Sequence, residues 1–292
     1  RLSPSLYRQQ KRGGKGVIGT GTKEEDIVTD IFITSNHHSL LFFTNKGRVH
    51  WLKAYELPER GRTAQGKSLV NILHLGEGEK VSTLLPVASF TLGNLFFVTK
   101  KGTVKRTRLE EFSNPRRGGI VALNLREQDE LITVLHTSGN QEILLASKEG
   151  QAVRFNEEKV SIVGRQAAGV RGMHVLENDA VVGAEAVIPG TSLLTVTEQG
   201  YGKRTLIDEY RLTNRGGTGV TNIKITEKNG KVAGVLSVTD ADEILCMTKQ
   251  GQAIRIPAKE ISVIGRNTQG VRIMRLDEHD KVNAVAKVGG KE

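Results

Sequence analysis

The sequence predicts an all-β fold, a propeller-like ring of six four-stranded antiparallel blades formed by a single domain over residues 1–292. Three observations lead to this prediction. Short apolar strands recur along the chain, each runs into a turn that ends in glycine, and a basic loop recurs at the same period of about 50 residues. Self-similarity at such a period is typical of propellers and solenoids. A linear β-solenoid is the alternative, but its rungs would be much shorter.

Five β-hairpins are predicted from apolar strands that turn at a glycine and continue as a basic strand. The glycine supplies the positive φ that a branched residue would resist. Alternating Val, Ile, Leu and Phe on both sides favour strands over helices. Successive turn glycines are 55, 48, 50 and 51 residues apart. They are Gly47, Gly102, Gly150, Gly200 and Gly251.

A basic loop followed by a strand begins roughly 15 residues after each turn glycine, and a further copy, KRGGKGVIG, begins at Lys11. Counted from Lys11, the third copy departs from the others, because Ile120 stands where we expect glycine. One arginine aligns in every copy, at intervals of 50, 54, 49, 50 and 51 residues. The aligned arginines are Arg12, Arg62, Arg116, Arg165, Arg215 and Arg266.

The two ends of the sequence predict how the ring closes. The segment RLSPSLYRQQKRGGKGV from Arg1 aligns with RTLIDEYRLTNRGGTGV from Arg204 at one offset of 203 residues. We therefore expect the first repeat to be truncated and the full-length protein to extend upstream. The segment VNAVAKV from Val282 is a strand with no hairpin after it. The expectation is that the two ends meet in one blade.

Composition favours a polyanionic partner. Lys and Arg number 42 against 32 acids, which gives a formal net charge of +10. Such a surface concentrates nucleic acid around it, although a merely basic soluble protein stays open as an alternative on charge alone. The single cysteine, Cys246, excludes a disulfide framework and a cysteine-rich zinc site. No apolar run approaches the length of a membrane span, so we expect a monomeric cytoplasmic domain without a membrane partner.

The heptad Gln10-Lys11-Arg12-Gly13-Gly14-Lys15-Gly16 interleaves three cations with three glycines. Glycine lets the backbone approach a phosphate, so that amide hydrogens and cationic side chains both reach it. Nothing in the loop reads bases, and we expect it to hold the DNA backbone without sequence preference. A lone string of this kind is most often an ordinary turn. Its recurrence in every repeat favours a curved track of positive charge around the ring.

This heptad resembles the gyrase-A box of the DNA gyrase A C-terminal domain family, which has the pattern Q-x-R-G-G-K-G in the first blade. The other five loops resemble its degenerate counterparts, so the resemblance covers essentially the whole chain. It implies a six-bladed β-pinwheel around whose outer rim duplex DNA bends, so that a gyrase-type topoisomerase introduces negative supercoils. The related topoisomerase IV domain generally carries a degraded or missing box and is the alternative.

The resemblance also implies the partners and the site. Expected partners are double-stranded DNA, the rest of the gyrase A polypeptide and the gyrase B polypeptide, in the bacterial cytoplasm at the nucleoid. Catalytic residues, ATP and magnesium would belong to other parts of the parent enzyme, an ATP-dependent type IIA topoisomerase. We therefore expect no catalytic residue, cofactor or metal in this fragment. The candidate DNA-binding residues are Gln10, Lys11, Arg12, Gly13, Gly14, Lys15, Gly16, Arg62, Lys67, Arg116, Arg117, Arg165, Arg171, Arg215, Arg266 and Arg272.

Three other strings suggest chemistry that their context does not support. The segment GRTAQGKS from Gly61 satisfies the P-loop pattern, which must follow a buried strand and open a helix. Here it follows a polar stretch and precedes the strand-like segment 69–73, so we interpret it as a coincidence. His37-His38 and Asp240-Ala-Asp242-Glu243 each fall in a predicted turn between strands, and we interpret them as solvated turns.

A different class of function is a protein-interaction propeller of the WD-repeat or kelch type. It predicts aromatic and mixed-charge loop tips, whereas the tips here are Arg, Lys and Gly. A sugar- or phosphate-processing propeller enzyme would need acids or histidines clustered at a channel. The DNA-binding interpretation is therefore preferred.

Overall fold

A computed structural model describes residues 34–59, 67–116, 118–250 and 252–288. Five antiparallel hairpins form within these ranges, each from two strands of five or six residues. The hairpins are β1 (Ser39–Thr44) with β2 (Arg48–Lys53), β4 (Asn94–Thr99) with β5 (Thr103–Arg108), β8 (Glu142–Ser147) with β9 (Gln151–Asn156), β12 (Ser192–Thr197) with β13 (Tyr201–Leu206), and β16 (Glu243–Thr248) with β17 (Ala253–Pro257).

Each hairpin is extended on one side by an inner strand that pairs with its first strand. Consecutive inner strands also pack against one another, so the hairpins radiate from them. The inner strands are β3 (Val81–Val87), β7 (Leu131–Thr137), β11 (Val181–Ala186), β15 (Val232–Val238) and β19 (Val282–Val288).

A two-residue outer strand completes four of the five sheets. These outer strands are β6 (Ile120–Val121), β10 (Val170–Arg171), β14 (Val220–Thr221) and β18 (Val271–Arg272). The sheets, which we call blades 1 to 5, have the orders β3-β1-β2-β6, β7-β4-β5-β10, β11-β8-β9-β14, β15-β12-β13-β18 and β19-β16-β17. The outer strand of each of blades 1 to 4 comes from the repeat that follows, so neighbouring blades exchange backbone.

Within the described residues the structure therefore shows five blades and not the six that we predicted from the repeats. Four of them have the predicted four antiparallel strands, and blade 5 has three. Blade 5 has only three strands because each blade receives its fourth strand from a following repeat, and the described residues contain no such segment after β19. The opening repeat falls within residues 1–33, outside the described residues. The predicted meeting of the two chain ends in one blade is therefore untested, although β19 does lie in blade 5, paired with β16.

The turn glycines of the hairpins have two structural roles. Gly150 has φ +80°, as the turn requires, and a Cβ atom there would lie 2.5 Å from the carbonyl oxygen of Ile223 in the following repeat. The Gly150 carbonyl accepts hydrogen bonds from the backbone amides of Asn222 and Ile223. Glycine is thus needed both for the turn and for the close approach of the next repeat. Gly47, Gly102 and Gly200 repeat this arrangement, and Gly251 lies outside the described residues.

The hydrophobic core lies between neighbouring blades. Between blades 1 and 2, the rings of Phe43, Phe97 and Phe112 are fully buried, with centroids 5.7 to 6.2 Å apart. Equivalent clusters join blades 2 and 3, blades 3 and 4, and blades 4 and 5. Because each of these clusters is shared by two neighbouring blades, the repeats stabilise one another.

In the part of the chain that the structure describes, helical structure is limited to single turns. A 3-10 helix follows each hairpin, at Ala54–Glu56, Leu109–Phe112, Glu157–Lys159, Ile207–Glu209 and Ala258–Glu260. The one described α-helix, α1 (Val70–Leu73), corrects our prediction of a strand at residues 69–73. Its last residue, Leu73, is buried against blade 1, and this packing overrides the strand preference of Val and Ile. Among the described residues no helix is long and apolar enough to cross a membrane.

Candidate nucleic-acid interface

The basic loops of the repeats lie at the outer edges of the blades. We call them rim loops 1 to 4, numbered by the blade that each completes: residues 115–122, 164–172, 214–222 and 265–273. Just before each of rim loops 2 to 4, the chain runs parallel to the second hairpin strand of the blade that the loop completes. Single parallel β-bridges mark these places, between Arg106 and Ile162, Arg154 and Leu212, and Arg204 and Val263. It then turns and returns antiparallel as the outer strand.

A glycine makes each of these turns possible. Gly169 has φ +85°, and a Cβ atom there would lie 2.4 Å from the Val104 carbonyl oxygen; Gly219 and Gly270 are arranged in the same way. In rim loop 1 this place belongs to Gly119, with φ +70°. Our prediction that Ile120 replaces the glycine is therefore wrong. Rim loop 1 is one residue shorter between its arginine and its glycine, and Ile120 begins β6 as Val170 begins β10.

Two of the aligned arginines join neighbouring rim loops. Arg215 is half-buried, and its guanidinium donates to the carbonyl oxygens of Lys159, at 2.8 Å, and Arg171, at 3.0 Å. Arg266 repeats the second contact by donating to the Thr221 carbonyl at 2.9 Å. Rim loops 2, 3 and 4 are thereby linked in series.

Other predicted cations are exposed. Arg116, Arg171 and Arg272 are exposed in rim loops 1, 2 and 4, and Lys67 is exposed just before α1. The guanidinium of Arg272 donates a hydrogen bond of 3.0 Å to the Tyr201 hydroxyl and lies 5.5 Å from the centre of that ring. This stacking restrains a long cationic side chain without removing it from solvent. The linked loops therefore form a continuous edge that carries exposed positive charge.

Two further cations that contact the rim loops are buried, and our sequence analysis missed them. Lys105 and Lys203 are fully buried at the same register of β5 and β13. The Lys105 ammonium donates to the carbonyls of Ala122 and Arg165, both at 2.5 Å, and that of Lys203 donates to Gly265 at 2.7 Å and Arg266 at 2.6 Å. Their shared place in the strings TVKR and YGKR was the available sequence signal.

Burial changes the protonation of both lysines. It lowers the pKa of Lys105 to about 7, with a smaller lowering by the Arg165 charge and an opposing effect of Glu111. Burial likewise lowers the pKa of Lys203 to about 8, opposed by Glu209 and reinforced by Arg266. An ammonium removed from water loses hydration that the carbonyl contacts only partly replace.

The arginines that follow this register in β9 and β13 also donate hydrogen bonds within the protein. Arg154 donates to the carbonyls of Ile207 and Tyr210, at 2.8 and 3.0 Å, and Arg204 donates to Ile261 at 2.9 Å. Each therefore fixes the 3-10 helix of the next blade. Part of the positive charge that we counted as favouring a polyanion is thus structural, and the exposed rim cations are fewer than composition implies.

Comparison with known proteins agrees with this architecture. The family model described as DNA gyrase C-terminal domain, beta-propeller, matches residues 1–35, 38–88, 93–138, 141–188, 191–239 and 242–288. The chain belongs to this DNA gyrase C-terminal domain family. The six matched segments follow the repeat boundaries seen in the sequence.

Individual relatives are similar over nearly the whole chain. The DNA gyrase A protein of Salmonella typhimurium is 45% identical over 97% of this chain, and that of Haloquadratum walsbyi is 44% identical over 98%. The chain spans about a third of the length of these relatives, 32% and 34%.

Two solved structures share the fold at comparable sequence identity. A DNA topoisomerase IV C-terminal domain superposes with a TM-score of 0.85 at 28% identity, covering 93% of this chain and 85% of that one. A DNA gyrase A C-terminal domain superposes with a TM-score of 0.76 at 26% identity, covering 98% and 94%.

For this member of the gyrase family, the predicted site residues divide into three groups. Arg165, Arg215 and Arg266 are half-buried in the rim loops, and Lys67, Arg116, Arg171 and Arg272 are exposed. The rest lie outside the described residues, and their roles stay predictions. They are Gln10, Lys11, Arg12, Gly13, Gly14, Lys15, Gly16, Arg62 and Arg117.

The strings that suggested other chemistry have structural surroundings of their own. In the turn at 239–243, Asp242 accepts from the Thr239 amide at 2.7 Å, and Asp240 pairs with Arg204 at 2.5 Å. No three His, Cys, Asp or Glu side chains of the described residues are grouped to hold a metal ion. The P-loop string is followed by α1, contrary to our expectation, but α1 has only four residues. The described residues just before it, 57–59, are not a strand.

Proposed function

We propose that this domain binds duplex DNA without sequence preference along its rim loops and bends it, as the DNA-wrapping part of a gyrase-type topoisomerase. The observation that supports this proposal is the serial linkage of the rim loops, in which Arg215 donates to the Arg171 carbonyl and Arg266 to the Thr221 carbonyl. The linkage joins rim loops 2 to 4 into one edge, and a duplex lying along it would meet the exposed side chains of Arg171 and Arg272, with Arg116 on the neighbouring rim loop 1.

The distribution of contacts suits a bent duplex. Bending about 40 bp through about 180° costs on the order of 10 kcal/mol for a smooth rod with the persistence length of DNA. A single strong patch would hold one point of a straight duplex. Several phosphate contacts spread around a curved edge offset the elastic energy along the whole arc, and they carry no base specificity.

The rest of the proposal concerns the parent protein. We place this domain in a gyrase A polypeptide, working with the remaining portion of that polypeptide and with gyrase B, in the bacterial cytoplasm at the nucleoid. ATP and magnesium would act in those other parts. The heptad Gln10–Gly16 adds three cations to the track.

A topoisomerase IV C-terminal domain is the second candidate, since the solved one superposes with a TM-score of 0.85. The two candidates differ in what the bound DNA is used for. A gyrase-type domain must wrap DNA with a fixed handedness to present a positive crossover for strand passage. The intact heptad Q-K-R-G-G-K-G at Gln10–Gly16 favours the gyrase-type role.

A topological assay tests the proposal. Nicked plasmid is sealed by ligase in the presence of the domain, and the linking number is then read on a gel. We expect a positive change that grows with the ratio of protein to DNA. Binding without any change in linking number would reject wrapping.

A matched pair of triple variants controls for overall charge. Replacement of Arg116, Arg171 and Arg272 by Ala should reduce the linking change strongly. Replacement by Ala of three exposed lysines outside the rim loops, Lys46, Lys80 and Lys249, should reduce it much less. Equal losses in the two variants would indicate that charge alone, and not its place on the rim, governs binding.

A further inference from the structure

Lys105 joins two successive rim loops from below. Its ammonium lies 2.5 Å from the Ala122 carbonyl of rim loop 1 and 2.5 Å from the Arg165 carbonyl of rim loop 2. The side chain is fully buried, with the ammonium 4.8 Å from the centre of the Phe97 ring. A buried charge of this kind is retained only when polar partners replace its water. Here these partners are backbone atoms of the candidate DNA interface.

Lys203, two blades further on, contacts a single rim loop in a similar way. Its ammonium lies 2.7 Å from the Gly265 carbonyl and 2.6 Å from the Arg266 carbonyl of rim loop 4. Both lysines therefore contact the carbonyl of the arginine that aligns in every repeat. Because the peptide group is planar and trans, a carbonyl that points inward directs the following N–H outward.

We propose that Lys105 and Lys203 are positioning residues of the DNA interface, whose buried ammonium groups draw rim-loop carbonyls inward and so turn the adjoining amides and arginines toward phosphate. This inference rests on the proposed DNA-binding function. Neither lysine reaches the DNA itself. Each acts through the loop above it and adds one positive charge beneath that loop.

The outward face of rim loop 4 already holds an anionic group. The peptide between Gly265 and Arg266 gives its carbonyl to Lys203, and its N–H meets the Glu209 carboxylate at 3.2 Å. Glu111 occupies the place in its repeat that Glu209 has in blade 4. Its carboxylate lies 4.0 Å from the guanidinium of Arg165 in rim loop 2. A carboxylate thus stands where a phosphate oxygen would be accepted.

Blade 3 provides an internal contrast. In blade 3, Val153 lies at the strand position that Lys105 and Lys203 have in blades 2 and 4. Lys159 likewise lies at the position of Glu111 and Glu209. Its rim loop is held differently, by Arg215 donating to the Lys159 carbonyl. Among blades 2 to 4, the buried ammonium and the outer carboxylate therefore occur together or not at all. Val153 also shows that valine is tolerated at this register.

DNA binding should depend on pH through the protonation of Lys105 and Lys203. The charged groups facing Lys105 are Arg165 and Glu111, and those facing Lys203 are Arg266 and Glu209. Both lysines lose their proton between pH 6.5 and 9, because burial lowers the pKa of Lys105 to about 7 and of Lys203 to about 8. A phosphate placed above favours the protonated lysine. Affinity should therefore fall as pH rises through this range.

The experiment compares the parent with Lys105→Val/Lys203→Val, the residue that blade 3 carries at this register. Affinity for a 40 bp duplex is measured by anisotropy from pH 6.5 to 9. The parent should weaken by about tenfold across the range. The double variant should bind about tenfold more weakly at pH 6.5 and show a nearly flat profile. Lys80→Val, which removes an exposed lysine outside the rim loops, should keep the parent profile.

Two further measurements keep the inference testable if the double variant does not fold. Glu111→Gln/Glu209→Gln should tighten binding a few-fold, because it removes the competing carboxylates. Trypsin cleavage after Arg165 and Arg266, without DNA, should accelerate in Lys105→Val and Lys203→Val respectively. A parent that binds no DNA while its variants are cleaved faster would reject the proposed function and retain the positioning role. A parent that binds DNA with a flat pH profile, or variants with unchanged affinity and cleavage, would overturn the positioning role.

Discussion

The guanidinium of Arg215 donates a hydrogen bond of 3.0 Å to the backbone carbonyl of Arg171. The two arginines come from successive copies of one loop, yet they have different surroundings. Arg215 is half-buried and also donates to Lys159, whereas the Arg171 side chain is exposed. One arginine therefore joins two blades, and the other is available to a ligand on the rim.

This difference predicts opposite outcomes for two alanine variants. Arg215→Ala should lower the free energy of unfolding by about 1–3 kcal/mol, because two hydrogen bonds from a charged donor are lost. Arg171→Ala should change it by less than about 0.5 kcal/mol, as usual for an exposed site, while DNA binding weakens about two- to threefold. Urea unfolding and duplex titration measure both effects. If Arg171→Ala proves the more destabilising, the assignment of roles is wrong.

The double role of the turn glycines predicts an unusually costly substitution. Gly150→Ala combines a left-handed backbone, φ +80°, with a Cβ atom 2.5 Å from the Ile223 carbonyl oxygen. The backbone strain alone costs about 1–3 kcal/mol, and the contact requires rim loop 3 to move.

Gly164→Ala is the matched control, since a Cβ atom there meets nothing within 4 Å. It should leave the thermal midpoint nearly unchanged, whereas Gly150→Ala should lower it by several degrees. Equal midpoints would show that the close approach of rim loop 3 is not needed.

Turn chemistry made the hairpins predictable from the sequence. A glycine between two apolar strands has few structural explanations, and four of the five predicted turn glycines are described with positive φ. Loop copies at a fixed interval likewise predicted a repeated edge. The count of residues between Arg116 and Gly119 misled us, because an alignment without gaps cannot show that one loop is a residue shorter.

Other features leave little trace in the sequence. An outer strand of two residues, such as Val170–Arg171, has no periodicity, so nothing indicated that it completes the preceding blade. Lys105 lies in a strand that the sequence marked only as basic, and its burial depends on carbonyls more than 15 residues away in sequence. The segment Val70–Leu73 has strand-forming residues, and its helical turn follows from tertiary packing.

The helix after the P-loop string makes a direct test worthwhile. Lys67 is exposed and precedes α1, a helix too short to present a row of stacked amides. We expect no ATP binding by calorimetry in the parent or in Lys67→Ala, and only slightly weaker DNA binding in the variant. ATP binding by the parent that is abolished by Lys67→Ala would overturn the interpretation of the string as a coincidence.

Salt dependence separates a distributed interface from a local one. If about six loops each neutralise one or two phosphates, about 6–12 contacts form, and log K should fall against log salt with a slope of about −5 to −10. Titrations of a 40 bp duplex over a range of salt concentrations measure this slope. A slope near −1 would mean one small contact and would exclude wrapping around the rim.

The last prediction distinguishes wrapping from binding. The heptad Gln10–Gly16 has the densest mixture of cations and glycines in the chain, and we propose that it fixes where DNA enters or leaves the track. Replacement of Lys11, Arg12 and Lys15 by Ala should lower affinity only modestly, because the other loops still hold the duplex.

Bending should suffer more than binding in this variant. A bent duplex released at one end straightens and loses its elastic energy, so partial binding is favoured over a complete wrap. Energy transfer between dyes at the ends of a 40 bp duplex follows the bend, and we expect it to fall sharply in the triple variant at saturating protein. The Lys46, Lys80 and Lys249 variant removes the same charge elsewhere and should retain the signal. If the heptad variant bends DNA as fully as the parent, the heptad is an ordinary turn, and the rim loops bend DNA without it.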